Sequence, residues 1–288
     1  MEGFLQSQTT MFDVKKLVAP GLIFAAGLAT AHLCAASRFR RGIERSIKEL
    51  SRGLDAPVSP REDLPDAIAA LVARAAPLAS RAPATVHLRQ RGEMRFSPLG
   101  KWQSLTAEQA FAIRRPGFVW HAYCTVAPLL TAEVVDSYVG GEGRLEARLF
   151  GSIRVANAAG PETAKGELMR YLAELAWAPE AIRYNRALRW NELGAREFEV
   201  SADSIGGEAR VCLALNENGD IAGMRADDRP RLEDGKIVPG KWFGAFSGYK
   251  ELAGHRIPTQ GEVGWHLEAG PFVYWRGEIV ALDVNFGD

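Results

Sequence analysis

The sequence lacks an excess of charge and has few cysteines. Its 288 residues include 35 basic and 35 acidic side chains, so the formal net charge is zero. Proteins that bind nucleic acid usually carry a basic excess, so we expect no nucleic-acid partner. Three cysteines, Cys34, Cys124 and Cys212, are too few for a dense disulfide framework. The sequence leaves open whether Cys124 and Cys212 are buried thiols or a pair in an oxidising compartment.

Common signatures of metal and nucleophile sites are also missing. No two of the five histidines have the spacing of metal ligands on a helix or strand, and there is no Cys-x-x-Cys pair. A Gly-x-Ser-x-Gly nucleophile elbow is absent. The glycines of GGEGR, residues 140–144, are not followed by the Lys-Ser/Thr of a phosphate loop. The sequence therefore predicts no metal and no cofactor, and it names no reaction.

One long apolar run stands near the N-terminus. LVAPGLIFAAGLATAHLCAAS, residues 17–37, contains no formal charge and is about long enough to cross a bilayer as a helix. We interpret residues 1–16 as a tail and residues 17–37 as a single-pass membrane anchor, with the lipid bilayer as a partner. A cleaved signal peptide is the alternative. The Lys and Arg count places the following domain in the cytoplasm, whereas a signal peptide would export it.

The remainder divides into a connecting region and one domain. Residues 38–63 begin with the basic segment RFRRGIERSIKEL, typical of a helix that leaves a membrane, and continue into a linker rich in proline and charge. Residues 64–288 are predicted to be a β domain, because apolar and polar residues alternate from Ala84 onward. RLEARLFGSIRV, residues 144–155, alternates almost strictly, which is typical of antiparallel strands with one buried face.

The predicted fold class is mainly β, of the α+β kind. We count about 9–11 strands in an antiparallel open or half-closed barrel packed on one main helix, preceded by the N-terminal membrane helix. Strands and helices do not alternate, which disfavours a doubly wound sheet. The hairpin turn NENGD supports the antiparallel arrangement, because Asn218-Gly219 can adopt positive φ.

The main helix is predicted within GELMRYLAELAW, residues 166–177, and Pro179 is expected to end it. Leu168, Leu172 and Leu175 form one apolar stripe. Arg170 and Glu174 have the spacing of an i,i+4 ion pair, worth about 0.3–0.5 kcal/mol if exposed. Two interpretations remain open here: the charges lie in water, or Glu174 lies with Tyr171 and Trp177 at the mouth of a cavity.

Five segments resemble an uncharacterised bacterial family whose members are known only as a domain of unknown function. The similarity covers about residues 64–286. More distantly, the pattern is similar to the bacterial lipoprotein-carrier superfamily, which wraps an incomplete antiparallel barrel around a helix and holds acyl chains inside. That resemblance implies a fold, and fold alone does not imply function. The five segments are RGEMRFSPLGKW, AEQAFAIRRPGFVWHA, GPETAKGELMRYLAELAWAP, YKELAGHRIPTQGEVGWHLEAG and FVYWRGEI.

Three functions are compatible with these patterns. The leading hypothesis is a membrane-anchored protein that binds a hydrophobic small molecule, a lipid or a lipid-linked group, without catalysis, in a cleft between the curved sheet and the helix. The second is an enzyme that acts on an apolar substrate with Glu174 as acid or base. The third is a membrane-tethered interaction module that pairs through a sheet edge. The candidate ligand-binding residues are Trp120, Tyr171, Glu174, Trp177, Trp190, Trp242, Trp265 and Trp275. The alternative is that these side chains only fill the interface between the sheet and the helix.

Overall fold

The computed structural model describes the backbone of residues 14–53, 57–79, 81–128, 130–233 and 235–287, and the side chains from residue 27 onward. The predicted tail, residues 1–16, and residues 17–26 of the predicted anchor therefore lie outside the described side chains. Within the part of the chain that the structure describes, no helix is both long and apolar enough to cross a membrane.

In the residues that the structure describes, thirteen strands form one sheet, more than the 9–11 expected. All its neighbouring strands are antiparallel, which confirms the predicted arrangement. The first half comprises β1 (Thr85–Met94), β2 (Gln103–Ala112), β3 (Phe118–Ala127), β4 (Leu130–Val139), β5 (Glu142–Leu149) and β6 (Ile153–Ala159). The second half comprises β7 (Arg189–Gly194), β8 (Glu197–Ser204), β9 (Gly207–Leu215), β10 (Ile221–Glu233), β11 (Lys236–Leu252), β12 (His255–Leu267) and β13 (Gly270–Asn285).

The two halves join in the middle of the sheet. Each half is a meander in which successive strands pair, and β1 pairs with β13, with Thr85 opposite Asn285. The order of strands is therefore β6 to β1, followed by β13 down to β7. This leaves β6 and β7 at the two free edges, so the sheet is open.

A helical segment connects these two edges. It comprises α3 (Pro161–Ala173), a 3-10 turn (Glu174–Trp177) and α4 (Pro179–Tyr184). The apolar stripe is buried as predicted, because Leu168, Leu172 and Leu175 are fully enclosed in the main core. Pro179, however, begins α4, since proline at the first position of a helix lacks only an N–H that would be unpaired there anyway.

The helices are more numerous than the one main helix expected. Besides α3 and α4, the described chain contains α1 (Val14–Ser51) and α2 (Asp66–Ala75). The second half of α1 packs on the outer face of β2, β3 and β4 through Phe39, Ile43 and Leu50. The Arg40 guanidinium also binds Glu133 of β4, at 2.5 Å from Nη2 to Oε1. The sheet is thus covered by α1 on one face and by α3 on the other.

Candidate functional site

A cavity of about 640 Å³ lies between α3 with the 3-10 turn and the inner face of the sheet. Its wall comes from β1 to β6 on one side and from β10 to β13 on the other. Strands β8 and β9 contribute nothing to it, because α3 packs directly against them. Protein interiors are normally close-packed, with few voids larger than a water molecule. A hollow of this size is therefore a feature of the fold rather than a packing defect.

The cavity wall is mostly apolar. Strand alternation places Leu145, Ala147 and Leu149 of β5 on the inner face, with Val134 of β4 beside them. The opposite face of β5 carries Glu146, which three arginines bind: Arg144, Arg148 and Arg154. The structure therefore confirms the predicted apolar face and charged face of this segment.

Exposed apolar side chains form the rim of the cavity. Phe96 follows β1, and Leu232 and Ile237 belong to the hairpin of β10 and β11. All three line the cavity and yet are 68 %, 71 % and 52 % exposed, respectively. An apolar molecule that enters here would cover them.

Six of the eight candidate residues line the cavity: Trp120, Glu174, Trp177, Trp242, Trp265 and Trp275. Their role in binding stays a prediction. Tyr171 and Trp190 lie outside the cavity wall. Tyr171 is fully buried, stacks on Phe111, donates a hydrogen bond to the Ala112 carbonyl at 2.9 Å and accepts one from Asn185. Trp190 lies on β7, far along the sheet, and packs against the core.

Arg170 and Glu174 are not in bulk water, which corrects one of the two expectations for the helix. Their side chains are 15 % and 12 % exposed. The Arg170 Nε atom donates to Glu174 Oε1 at 2.8 Å, and Nη1 donates to Asp136 Oδ2 at 2.6 Å. The guanidinium also lies over the rings of Phe118 and Trp120. This pair is thus part of the cavity wall and is not a solvated surface contact.

A chain of side-chain amides extends this polar group across three strands. Gln109 of β2 donates from Nε2 to Glu174 Oε2 at 2.6 Å. Gln90 of β1 donates to Gln109 Oε1 at 2.9 Å, and the Trp120 indole of β3 donates to Gln90 Oε1 at 2.8 Å. Because the amides are buried, each bond also removes the cost of an unpaired polar atom. The chain fixes Glu174 with both carboxylate oxygens bound.

Sequence reasoning missed five members of this polar group: Gln90, Gln109, Asp136, Glu167 and Arg229. A signal existed for Asp136. It shares the inner face of β4 with Ala132, Val134 and Tyr138, so a carboxylate stands where the alternation calls for an apolar residue. Gln109 occupies the same kind of position on β2. A polar residue on the buried face of a strand has to find partners there.

Glu167 is a buried carboxyl on α3, 6 % exposed, and it lines the cavity. Burial, helped by the nearby charge of Asp136, raises its pKa to about 8. Arg229 and Arg170 act in the opposite direction. Burial raises the pKa of Asp136 too, against the effect of Arg170. The pKa of Arg170 is raised because Glu174, Asp136 and Glu167 together outweigh its own burial.

Glu167→Gln should remove a pH dependence of stability. The folded-state pKa of Glu167 lies above its ordinary value of 4.5, so the native state binds a proton that the unfolded chain has lost. The free energy of unfolding should then fall as pH rises from about 4.5 to 8. The glutamine variant should have the same free energy of unfolding as the native chain at pH 5. At pH 8.5 its free energy of unfolding should be higher by about 1–3 kcal/mol.

Urea unfolding at the two pH values measures this gap. Glu142→Gln, which removes one carboxylate from the exposed end of β5, is the control and should give the same difference from the native chain at both. If the difference in free energy of unfolding between Glu167→Gln and the native chain is the same at pH 5 and pH 8.5, the raised pKa of Glu167 is contradicted.

No group of three His, Cys, Asp or Glu side chains in the described residues is arranged to hold a metal ion. Cys124 and Cys212 are both buried free thiols, on β3 and β9. Cys124 lines the cavity, and burial raises the pKa of its thiol to about 11. A thiol in this state is a weak nucleophile.

Comparison with known proteins identifies the family. Residues 59–277 match the model of a family of unknown function, DUF6544. The chain belongs to that family. This confirms the resemblance seen in the five sequence segments. No curated protein has a matching sequence.

Several solved structures are similar to this one at low identity. A LolA superfamily protein from Nitrosomonas europaea has 10 % identity and a TM-score of 0.41, covering 77 % of this chain and 96 % of its own. A putative outer membrane lipoprotein-sorting protein domain from Vibrio parahaemolyticus has 11 % identity and a TM-score of 0.39, covering 71 % and 87 %. A DUF1329 family protein from Desulfovibrio piger has 8 % identity and a TM-score of 0.39, covering 72 % and 88 %.

Proposed function

We propose that this DUF6544 protein binds the apolar part of a lipid or a similar amphiphile in the cavity beneath α3, without chemical change to it. The observation that carries the proposal is the cavity itself, an apolar hollow of about 640 Å³. Pockets for small molecules typically have volumes of about 300–1,000 Å³ and mostly apolar walls. The exposed rim of Phe96, Leu232 and Ile237 supports it as an entrance.

The energetics favour a ligand with a long alkyl chain. Each methylene group that leaves water contributes about 0.8 kcal/mol. Ten such groups contribute roughly 8 kcal/mol, and association costs about 4 kcal/mol or more. Affinity should then increase with chain length until the chain fills the cavity.

We also propose that residues 17–37 attach the protein to a membrane. The uncharged run of these residues supports that part of the proposal.

The enzyme alternative is less well supported by the geometry. Glu174 does point inward beside polar groups within hydrogen-bond reach, as a general acid or base should. Both of its oxygens are already engaged, however, by Arg170 and by Gln109. A group that takes or gives a proton needs a free oxygen towards the substrate. The variant Gln109→Ala frees one oxygen of Glu174. If this variant still binds amphiphiles and converts none of them into a product, the result agrees with the noncatalytic proposal.

The interaction-module alternative has its own support. Strand β6 lies at a free edge of the sheet, and all seven of its residues are exposed, including Ile153 and Val155. An exposed edge strand offers unpaired backbone groups to another chain. A partner at β6 would leave the cavity accessible from the rim, so the two functions are compatible.

A bulky side chain in the cavity should weaken binding. Ala147→Trp places an indole inward from β5, where the alanine lines the cavity. We expect at least about a tenfold loss of affinity, equivalent to about 1.4 kcal/mol. The control is Ala159→Trp on β6, because Ala159 is exposed and lies outside the cavity wall. The measurement is fluorescence of N-phenyl-1-naphthylamine, an uncharged apolar dye, on titration with each protein.

Two results would contradict the proposal. One is equal dye binding by Ala147→Trp and Ala159→Trp. The other is the absence of any lipid in native mass spectra of the full chain together with no dye binding. The Ala147 position is preferred to Trp177 for this test, because Trp177→Ala would also alter the packing of the core.

A further inference from the structure

Two buried carboxyl oxygens at the cavity have no hydrogen-bond partner within the described chain: Asp136 Oδ1 and Glu167 Oε2. Both residues line the hollow, one from β4 and the other from α3. A buried polar atom without a partner costs about 1–3 kcal/mol. In the part of the chain that the structure describes, the cavity-lining residues Gln103 and Arg231 also have an unpaired buried atom each, Oε1 and Nε. Asp136 and Glu167 interact with each other, so their two oxygens indicate one shared partner outside the chain.

The unpaired atoms define the chemistry of that missing partner. An ionised carboxylate oxygen only accepts hydrogen bonds, so its partner has to donate. Glu167, whose pKa is raised to about 8, is ionised by a cationic donor that takes the place of its proton. The other atoms of this group are already committed: Arg170 binds Asp136 Oδ2 and Glu174 Oε1, and Gln109 binds Glu174 Oε2. A ligand group that donates has therefore two acceptors available at this point of the wall.

The charge of the surrounding residues also favours a ligand group that carries a positive charge. The cluster contains three carboxyl groups, Asp136, Glu167 and Glu174, and two guanidinium groups, Arg170 and Arg229. With all five ionised, it carries one negative charge in a buried place. Either a proton on Glu167 or a positive charge on a ligand removes this excess. Arg229 does not stand free for an anion, since it lies over the Trp242 ring at 4.1 Å and donates to the Gly166 carbonyl.

We infer that the cavity selects amphiphiles whose polar end is a primary ammonium group, held by Asp136 and Glu167 while the alkyl chain lies along the apolar wall. This inference rests on the proposed function, because it assigns the polar end of the same ligand. An ammonium group supplies three N–H donors and one positive charge. It satisfies the two unpaired oxygens and removes the excess negative charge at once.

The test compares four ligands that share a decyl chain: decylamine, decanol, decanoate and decyltrimethylammonium. Each displaces N-phenyl-1-naphthylamine from the full chain at pH 7.5, below its micelle concentration. We expect decylamine to bind about tenfold more tightly than decanol and decanoate. Decyltrimethylammonium has the charge without an N–H donor, so it should bind at least about threefold more weakly than decylamine.

The variant Glu167→Gln identifies the residue that holds the ammonium. It keeps the size of the side chain but loses the charge, so decylamine should bind about tenfold more weakly while decanol changes by less than about twofold. Glu142→Gln, with its carboxylate on the exposed end of β5, should change neither affinity. Circular dichroism at pH 7.5 confirms that the variants are folded.

The possible results are separable. Equal affinity for the decyl ligands would overturn the ammonium assignment and leave the proposed function standing. Tightest binding of decanoate would overturn it too, in favour of Arg231, whose buried Nε atom has no hydrogen-bond partner in the described chain, as the group that holds the polar end. Equal affinity of decylamine and decyltrimethylammonium would overturn the hydrogen bonds to the unpaired oxygens. If the dye and all four ligands fail to bind, the proposed function fails together with the inference.

Discussion

Arg170→Met should lower the free energy of unfolding by about 3–5 kcal/mol at pH 7, the cost of removing one partner from a buried ion pair. The guanidinium joins α3 to both β4 and the 3-10 turn, through Asp136 and Glu174. Methionine keeps much of the apolar length of the side chain. It leaves both carboxylates without this cation, and burial already opposes the charged form of Asp136 by raising its pKa.

The loss should depend on pH in a defined direction. Without Arg170, the nearby carboxyl groups take up protons more readily in the folded state than in the unfolded one. The variant should therefore recover part of its stability as pH falls from 7 towards 4.5. Urea unfolding at pH 7 and pH 4.5 measures both values.

The control is Arg189→Met. Arg189 also binds two carboxylates, Asp203 and Glu208, but all three side chains are at the surface. Exposed ion pairs contribute little because water and salt screen them, so this change should be much smaller. A difference of less than about 1 kcal/mol between Arg170→Met and the native chain would show that the buried pair does not stabilise the helix on the sheet.

Trp177→Ala should lower the free energy of unfolding by about 3–5 kcal/mol, the usual cost of truncating a large buried aromatic side chain. Trp177 is 3 % exposed, and its indole Nε1 donates to the Pro258 carbonyl at 3.1 Å. Its ring packs edge to face against Phe246 and Trp275, with centroids 5.5 and 6.2 Å away. Alanine loses the hydrogen bond, the ring contacts and the apolar burial together.

Trp177→Phe separates these contributions. It retains a ring beside Phe246 and Trp275 and loses the hydrogen bond to Pro258, so its loss should be about 1–2 kcal/mol, smaller than that of the alanine variant. Trp102→Ala is the control, since Trp102 lies outside the cavity wall and the guanidinium groups of Arg95 and Arg276 lie over its ring. Thermal or urea unfolding measures all three. Similar stability of the alanine and native chains would mean that the 3-10 turn is not held by this residue.

The sheet could be predicted well from residue alternation. In RLEARLFGSIRV, for example, alternation predicted both the apolar face and the charged face that the structure contains. The segment is nevertheless two strands, since Phe150 and Gly151 form a turn with positive φ between β5 and β6. Alternation continues across this tight hairpin, so the pattern alone could not reveal the turn. Missed turns of this kind make the predicted number of strands too low.

The cavity residues were harder to predict, because a pattern indicates which face a residue occupies but not what lies above it. Trp120, Trp177 and Trp190 look alike in the sequence, and only their places in the fold separate the first two, which line the cavity, from the third, on β7. The Arg170–Glu174 spacing indicated an ion pair correctly. Its burial depends on Asp136 and Gln109, which come from strands more than thirty residues earlier in the chain.

The junction between β1 and β13 has a consequence for synthesis on the ribosome. β1 is made first among the strands and β13 last, yet they lie side by side in the middle of the sheet. Until β13 emerges, β1 presents an open backbone edge next to an unfinished apolar surface. Contacts between such distant parts of a chain form slowly. The nascent protein therefore has a long interval in which it can pair with other chains, and it is during this interval that chaperones would be most needed.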